Sequence, residues 1–199
     1  MSIKLVLGLG NPGREYAETR HNIGWRVLDA LAEREKLAWK TQPAFSAEIA
    51  RWDHPSGRPV LLAKPLTYMN ESGRAAAALT SYFKIPKPAI ALVYDDLTID
   101  LGLVKITDRG SAGGHNGVAD VLAKLGNGFI RHRLGIGPKS PPQMDLKDFV
   151  LGKFSPEQRL IVEQNLTHYL SGLDLLLTSG TEKAMNLLNR RVPHEPEQT

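Results

Sequence analysis

Four short polar motifs contain residue types that can move a proton and hold a carbonyl group. They occupy residues 8–13, followed closely by His21, then residues 68–70, 94–96 and 113–117. Each motif lies where an apolar, strand-like run ends or a helical pattern begins. Because ligands in α/β folds bind outside the carboxyl ends of strands, we expect these motifs to meet at one site. Together they offer histidine, aspartate and asparagine side chains, which suit acid–base chemistry on water.

His21 and Asp95 are the candidate acid–base pair. His21 precedes the first predicted helix, and Asp95 follows a predicted buried strand over Ile90–Tyr94. Burying the adjacent carboxylates of Asp95 and Asp96 costs free energy unless they have hydrogen-bond or charge partners. A carboxylate bound to one imidazole nitrogen fixes the tautomer, so the other nitrogen can accept a proton from water. The simpler alternatives are a turn histidine and a turn or capping aspartate.

Asparagine and glycine residues form the second group of candidates. Asn70 and Asn116 occupy positions typical of helix N-caps, which is the simpler interpretation of each. The segment 113–117 contains three glycines in five residues. Glycine loses more conformational entropy on folding than other residues, so this run indicates either backbone that approaches a ligand closely or a hinge. His115 within it is interpreted as positional rather than catalytic.

The glycines at positions 8, 10 and 13 match a dinucleotide-binding pattern, which alone is a weak signal. In that fold the helix starts inside the pattern, whereas Pro12 and the polar stretch 14–19 delay the helical face until Ile23. The acidic residue expected about 20 positions later should end a second strand, but Glu33 falls inside the helix. We therefore expect these glycines to form a tight turn that presents Asn11. We expect no cofactor, and NAD binding is the alternative.

Composition excludes several other classes of site. The chain has no cysteine, so it contains no disulfide, cysteine nucleophile or cysteine-ligated zinc. His54, His132, His168 and His194 lack metal-ligand spacing, and we expect no metal. The start of the chain does not resemble a signal peptide, and no apolar run is long enough to span a bilayer. We expect a cytoplasmic protein without a membrane segment.

The pattern of elements predicts one α/β domain over residues 1–190, with a loose tail at 191–199. The helix from Ile23, the hairpin strands at 45–52 and 59–64 and the later strand–helix alternation predict a mixed, twisted sheet with helices on both faces. Ser155 to Gln158 form a capping box that starts a helix through Leu177.

Charge is distributed unevenly although the net charge is only +4. Between Leu103 and Gln143, six basic residues stand against Asp108 and Asp120. The basic residues are Lys105, Arg109, Lys124, Arg131, Arg133 and Lys139. This bias fits a surface that binds a polyanion and fits a solvated face equally well.

In combination, the motifs closely resemble the bacterial peptidyl-tRNA hydrolase family, from Lys4 to about Asn189. The matching segments are Gly8–Gly13 with Arg20-His21-Asn22, Lys64–Gly73, Val93–Leu97 and Gly110–Gly117. Four motifs in the family's order and spacing are specific, which no single one of them is.

The resemblance implies a monomeric α/β enzyme, without cofactor or obligate protein partner, that hydrolyses the ester between a peptide and the terminal ribose of tRNA. It implies that His21 is the general base and that Asp95 orients it. It further implies substrate-binding roles for Asn11, Tyr16, Tyr68, Asn70 and Asn116, and tRNA-binding roles for Lys105, Arg131 and Arg133. The segments 113–117 and 138–150 correspond to mobile walls of the family's cleft.

The chain departs from the family pattern at three positions. Thr107 stands where a second basic residue is common, so we expect the affinity for tRNA to be lower or to depend on other residues. Thr98 and Asp100 replace an aspartate and a proline after the Asp95 motif, which affects the rigidity of that loop. The alternative function is a non-catalytic RNA-binding member of the family, of the kind that assists intron splicing.

Overall fold

A seven-stranded mixed sheet forms the centre of the protein in this computed structural model, which describes residues 2–189. The predicted tail at 191–199 lies outside the described residues. The strands are β1 (Leu5–Gly8), β2 (Lys40–Gln42), β3 (Ala47–Asp53), β4 (Pro59–Pro65), β5 (Ile90–Asp100), β6 (Val104–Thr107) and β7 (Ile130–Gly137). Their order across the sheet is β2-β3-β4-β1-β5-β7-β6. The four central strands are parallel, and β2, β3 and β6 pair in antiparallel fashion at the two edges.

Helices cover both faces of this sheet, as the sequence predicted. They are α1 (Ile23–Arg34), α2 (Ser72–Tyr82), α3 (Asn116–Leu125), α4 (Leu146–Leu151), α5 (Pro156–Gln164), α6 (Leu166–Ser179) and α7 (Thr181–Leu188). None of the helices within residues 2–189 is both long enough and apolar enough to cross a bilayer.

Alternation along the central strands divides the core into two layers. Leu5 and Leu7 face the layer formed with α2 and α3, whereas Val6 faces the layer formed with α1 and α6. Both faces of the parallel strands are therefore buried, which explains their continuous apolar sequence. This burial holds the carboxyl ends of β1, β4 and β5 at one edge of the sheet, where the polar motifs follow.

Strand β5 is longer than the sequence predicted. The strand continues past Tyr94 to Asp100, with an irregular register against β7 between Asp96 and Asp100. Gly135 and Gly137 permit this close pairing, because a Cβ at either position would lie about 2 Å from a carbonyl oxygen of β5. Asp95 is thus held inside a strand rather than at its end.

Three helix boundaries also differ from the predictions. Asn116 is the first residue of α3 and not its cap; His115 is the N-cap, and its side chain accepts a hydrogen bond from the amide of Val118. Helix α2 has Glu71 at the N-cap position without a side-chain cap; Asp120 of α3 instead accepts a hydrogen bond from the Gly73 amide at 2.7 Å. The capping box at Ser155 is confirmed, but the helix it starts ends at Gln164, and α6 follows as a separate helix.

Candidate active site

The polar motifs line a single cleft of about 840 Å³ at the carboxyl edge of the sheet. The turn after β1, the segment after β4, the middle of β5 and the start of α3 all reach it, and α4 forms the facing wall. The sequence-predicted residues on its lining are Asn11, Tyr16, His21, Tyr68, Asn70, Asp95, Asn116, Arg131 and Arg133. Lys105 is exposed and is the one predicted site residue outside this lining.

A short 3-10 turn, Arg20–Asn22, presents His21 to the cleft. Asn22 holds this turn against the turn after β1: its Oδ1 accepts from the Asn11 amide and its Nδ2 donates to the Asn11 carbonyl, each at 2.9 Å. At Gly24, a Cβ would lie 2.6 Å from the Val93 carbonyl oxygen, so only glycine lets α1 start this close to the strands. These contacts explain why the helix begins after the glycine pattern, in contrast to a dinucleotide-binding turn.

His21 and Asp95 form a buried hydrogen-bonded pair. Nδ1 of His21 lies 2.9 Å and 3.0 Å from the two carboxylate oxygens of Asp95. The side chains are 8% and 3% exposed. Because Nδ1 donates to the carboxylate, Nε2 of His21 carries the free lone pair and can accept a proton.

His115 makes a second contact to the same carboxylate, which the sequence interpretation missed. Its Nδ1 accepts from the Val118 amide at 3.3 Å, so its Nε2 carries the hydrogen and donates to Oδ1 of Asp95 at 3.0 Å. The rings of His21 and His115 are tilted, with centroids 4.7 Å apart. The positional role expected for His115 therefore extends to Asp95 itself. The available signal was its place beside Asn116 in the glycine-rich motif.

Two opposing effects act on the pKa of Asp95. Burial by itself raises it, because the charged form is desolvated, but the two imidazoles facing the carboxylate oppose this by charge and hydrogen bonding. The net result holds the pKa of Asp95 well below its usual range. Asp95 is therefore ionised at neutral pH. Its negative charge can stabilise a positive charge on the His21 ring.

The asparagines differ in how firmly they are held. Asn11 is 6% exposed, and its Oδ1 accepts from the Met69 amide at 2.7 Å. Among residues 2–189 its Nδ2 has no hydrogen-bond partner, so this donor is available to a ligand in the cleft. Asn70 and Asn116 are exposed and lie on the lining of the cleft.

The basic residues occupy one face of the β6–β7 pair. Lys105 lies directly opposite Arg133, and Thr107 lies opposite Arg131. The alternate residues of both strands, such as Ile106 and Leu134, belong to the core on the other face. The four side chains thus lie together where β6 and β7 border the cleft; Lys105 is the one outside its lining, and Thr107 is the one without a charge.

Arg131 is placed differently from the expectation of a phosphate ligand. It is only 2% exposed, and its guanidinium donates to the carbonyl oxygens of Gly110 and Ser111, the latter at 2.6 Å. Burial leaves little of the guanidinium open to a polyanion. Its contacts instead hold the first residues of the segment Gly110–Gly117, which we call the glycine-rich loop.

Arg133 is half-buried and takes part in a network with two β5 residues. Its guanidinium lies 2.8 Å from Oδ2 of Asp96, and Thr98 donates from its hydroxyl to Oδ1 of Asp96 at 2.6 Å. Thr98, one of the departures from the family pattern, therefore helps to orient Asp96 and through it Arg133.

The histidines and aspartate at the centre also form a donor set of a kind that can bind a metal. Nδ1 of His21, a carboxylate oxygen of Asp95 and Nε2 of His115 lie within 4.8 Å of one another. Spacing along the sequence gave no sign of this cluster. In this arrangement both nitrogens direct a hydrogen at the carboxylate, so neither offers a lone pair to an ion.

Comparison with known proteins points to a single family. The family model described as peptidyl-tRNA hydrolase matches residues 5–196. The chain belongs to this family. A peptidyl-tRNA hydrolase from Gloeobacter violaceus is 41% identical over 192 residues, covering 96% of each chain, and one from Thermotoga petrophila is 43% identical over 186 residues, covering 93% of this chain and 96% of the relative.

Solved structures of the family have the same fold. A crystal structure of peptidyl-tRNA hydrolase from Acinetobacter baumannii superposes with a TM-score of 0.87 at 35% identity and covers 94% of each chain. The resemblance inferred from the four motifs, and the single-domain α/β fold it implied, are therefore confirmed.

Proposed function

We propose that this member of the peptidyl-tRNA hydrolase family hydrolyses the ester between the peptide and the terminal ribose of tRNA, and so recycles prematurely released peptidyl-tRNA. The observation that carries the mechanism is the buried pair of His21 Nδ1 and the Asp95 carboxylate, beside a cleft large enough for the ester and its flanking groups. Family membership supports the substrate class.

His21 acts as the general base. Its Nε2 takes a proton from water as the water oxygen attacks the ester carbonyl carbon, and the carbonyl becomes a tetrahedral oxyanion. Asp95 stabilises the resulting imidazolium, because its carboxylate is ionised and buried. The imidazolium then returns the proton to the ribose oxygen as the carbon–oxygen bond breaks, which yields a free peptide carboxyl group and the ribose hydroxyl.

Polar groups on the lining hold the ester. The free Nδ2 of Asn11 is positioned to donate to a carbonyl or oxyanion, and the contact of its Oδ1 with Met69 fixes its direction. Asn70 and Asn116 on the lining position the substrate and the water, and Tyr16 and Tyr68 contact the substrate.

The tRNA body contacts the basic edge next to the cleft. Exposed Lys105 and half-buried Arg133 face the same side and can approach phosphates, which supplies affinity with little base preference. We further propose that the enzyme acts as a monomer, as the family resemblance implies. Its substrate arises during translation, and we place the enzyme in the cytoplasm.

A hydrolysis assay on an N-blocked aminoacyl-tRNA tests this proposal. We expect release of the blocked amino acid, with full activity after exhaustive chelation verified by elemental analysis. Tight binding of tRNA without turnover would favour the RNA-binding alternative. Activity that is lost on chelation and restored by zinc would contradict metal-free acid–base catalysis. It would indicate that His21, Asp95 and His115 bind a metal on which the reaction depends.

A further inference from the structure

Arg20 precedes His21 in the sequence, but its side chain points away from the His21–Asp95 pair. It reaches the far side of the α4 wall, where Nη1 donates to the Phe149 carbonyl oxygen at 3.1 Å and Nη2 to Oε1 of Gln158 at 2.8 Å. The guanidinium also lies over the rings of Phe149 and Phe154, 4.5 Å and 5.4 Å from their centroids.

The backbone makes a second link at the same place. The Arg20 amide donates to the Gly152 carbonyl at 3.0 Å, and Thr19 pairs with Lys153 in an isolated antiparallel bridge. The 3-10 turn that carries His21 is thus joined directly to the residues that follow α4, by main chain and by side chain.

Helix α4 needs such support because it is short. Six residues make too few internal hydrogen bonds for a helix to be stable alone in water. One turn of it is anchored by Phe149, which is 1% exposed, while Leu146, Lys147, Val150 and Leu151 face the cleft. Without Arg20, the Phe149 carbonyl would lose a charged donor and the ring would lose its stacked partner.

We propose that Arg20 is a positioning residue that sets the distance between the α4 wall and His21, and thereby the affinity of the cleft for the substrate. The inference rests on the proposed function for its kinetic consequence. Its structural consequence, order in α4, does not depend on any activity.

Lysine is the informative substitution at this position. Arg20→Lys keeps the charge but cannot donate to two acceptors in a planar fork or stack on two rings in the same way. We expect KM to rise on the order of tenfold, as for loss of one charge-assisted hydrogen bond, with a smaller change in kcat. The pH–rate profile should keep its shape, because the contact between His21 and Asp95 remains.

Gly152→Ala perturbs the same contact between the Arg20 turn and the residues after α4, but by a change in the residues after α4. A Cβ there would lie 2.9 Å from Nη1 of Arg20 and 3.0 Å from the Asp148 carbonyl oxygen. We expect it to reproduce the rise in KM, and the double variant to lose less than the sum of the two. Arg26→Lys is the matched control, because Arg26 forms an exposed pair with Glu163 at 3.2 Å away from the cleft.

Hydrogen exchange separates this proposal from the proposed function. In Arg20→Lys, amides of α4 should exchange faster than in the wild type while those of α6 stay protected, and this holds whether or not the protein hydrolyses peptidyl-tRNA. Two results would overturn the proposal: unchanged exchange in α4, or faster exchange shared equally by α4 and α6 together with a lower Tm. An unchanged KM with faster exchange in α4 would overturn its kinetic part.

Discussion

The buried centre of the cleft and its basic edge use charge in opposite ways. The centre consists of His21, Asp95 and His115, whose side chains are at most 8% exposed and whose hydrogen bonds converge on one carboxylate. At the edge, Lys105 is exposed and Arg133 is 24% exposed.

Solvent explains the difference between the two regions. In the centre, little water screens the carboxylate, so its effect on an imidazolium is strong and nearly independent of salt. At the edge, water and ions screen each charge, and affinity for a polyanion comes from several weak contacts. From this difference we expect the centre to control turnover and the edge to control binding of tRNA.

The largest expected effect is that of His21→Ala. Loss of the general base should lower kcat by about 10²–10⁴-fold while tRNA binding survives. Single-turnover hydrolysis and a filter-binding assay on the same preparation measure the two properties, and His168→Ala serves as a control histidine outside the cleft. Near wild-type kcat in a folded His21→Ala protein would remove the centre from the mechanism.

Asp95→Asn should have the next largest effect on turnover. The amide cannot stabilise an imidazolium, and it offers one acceptor oxygen where two N–H groups converge, so its own NH2 would face a donor. We expect kcat to fall by about 10- to 150-fold, equivalent to one charge-assisted hydrogen bond. The pH–rate profile should also change on its acidic side; an identical profile would break the proposed pair.

His132 provides a buried histidine without a carboxylate, in contrast to the centre. Burial lowers the pKa of His132 to about 4, because the charged form is desolvated and neither ring nitrogen has a hydrogen-bond partner within residues 2–189. Because the unfolded chain binds this proton near pH 6.5, stability should be full above that pH and decrease as pH falls toward 4, by up to about 3 kcal/mol.

Urea unfolding at several pH values checks this expectation. Replacing His132 by Leu should flatten the decrease between pH 6.5 and 4, since the neutral side chain takes up no proton. A slope that is equally steep in the variant would assign the pH dependence to other groups.

Arg131 lies between the two regions and sharpens the comparison. Its donors hold the carbonyls of Gly110 and Ser111, so Arg131→Lys should loosen the glycine-rich loop that leads to His115 and Asn116. We expect kcat/KM to fall on the order of tenfold, both for full-length tRNA substrate and for a minimal substrate without the tRNA body. A loss confined to full-length tRNA would restore the phosphate-binding role expected from the sequence.

Lys105→Ala should have the smallest effect. We expect a rise in KM of a few-fold on full-length tRNA, with most of kcat spared, and a log–log salt dependence reduced by about 0.9 or less. The minimal substrate should be nearly indifferent, because it has no distant phosphates. Lys40→Ala on β2, the opposite edge of the sheet, is the matched control, and equal losses on both substrates would end the docking role of Lys105.

Most of the fold was predictable because it depends on local periodicity. The helix from Ile23, the hairpin of β3 and β4 and the capping box at Ser155 are each written in a short window of sequence. The predictions failed where a distant segment decides the outcome. Strand β5 extends to Asp100 because β7 offers glycines that admit it, and α2 begins without a cap of its own because Asp120 supplies an acceptor.

The sequence by itself determined the inventory of the site: a histidine, an aspartate and three asparagines in four polar motifs, in an order that identifies the family. Tertiary structure alone decided their partners. It directed His115 as well as His21 at Asp95, drew Arg131 under the glycine-rich loop and joined Arg20 to the α4 wall. Hydrogen bonds depend on distances of about 3 Å, and the one between Arg20 and Gln158 joins residues 138 positions apart. Such distances exist only once the two apolar layers have packed.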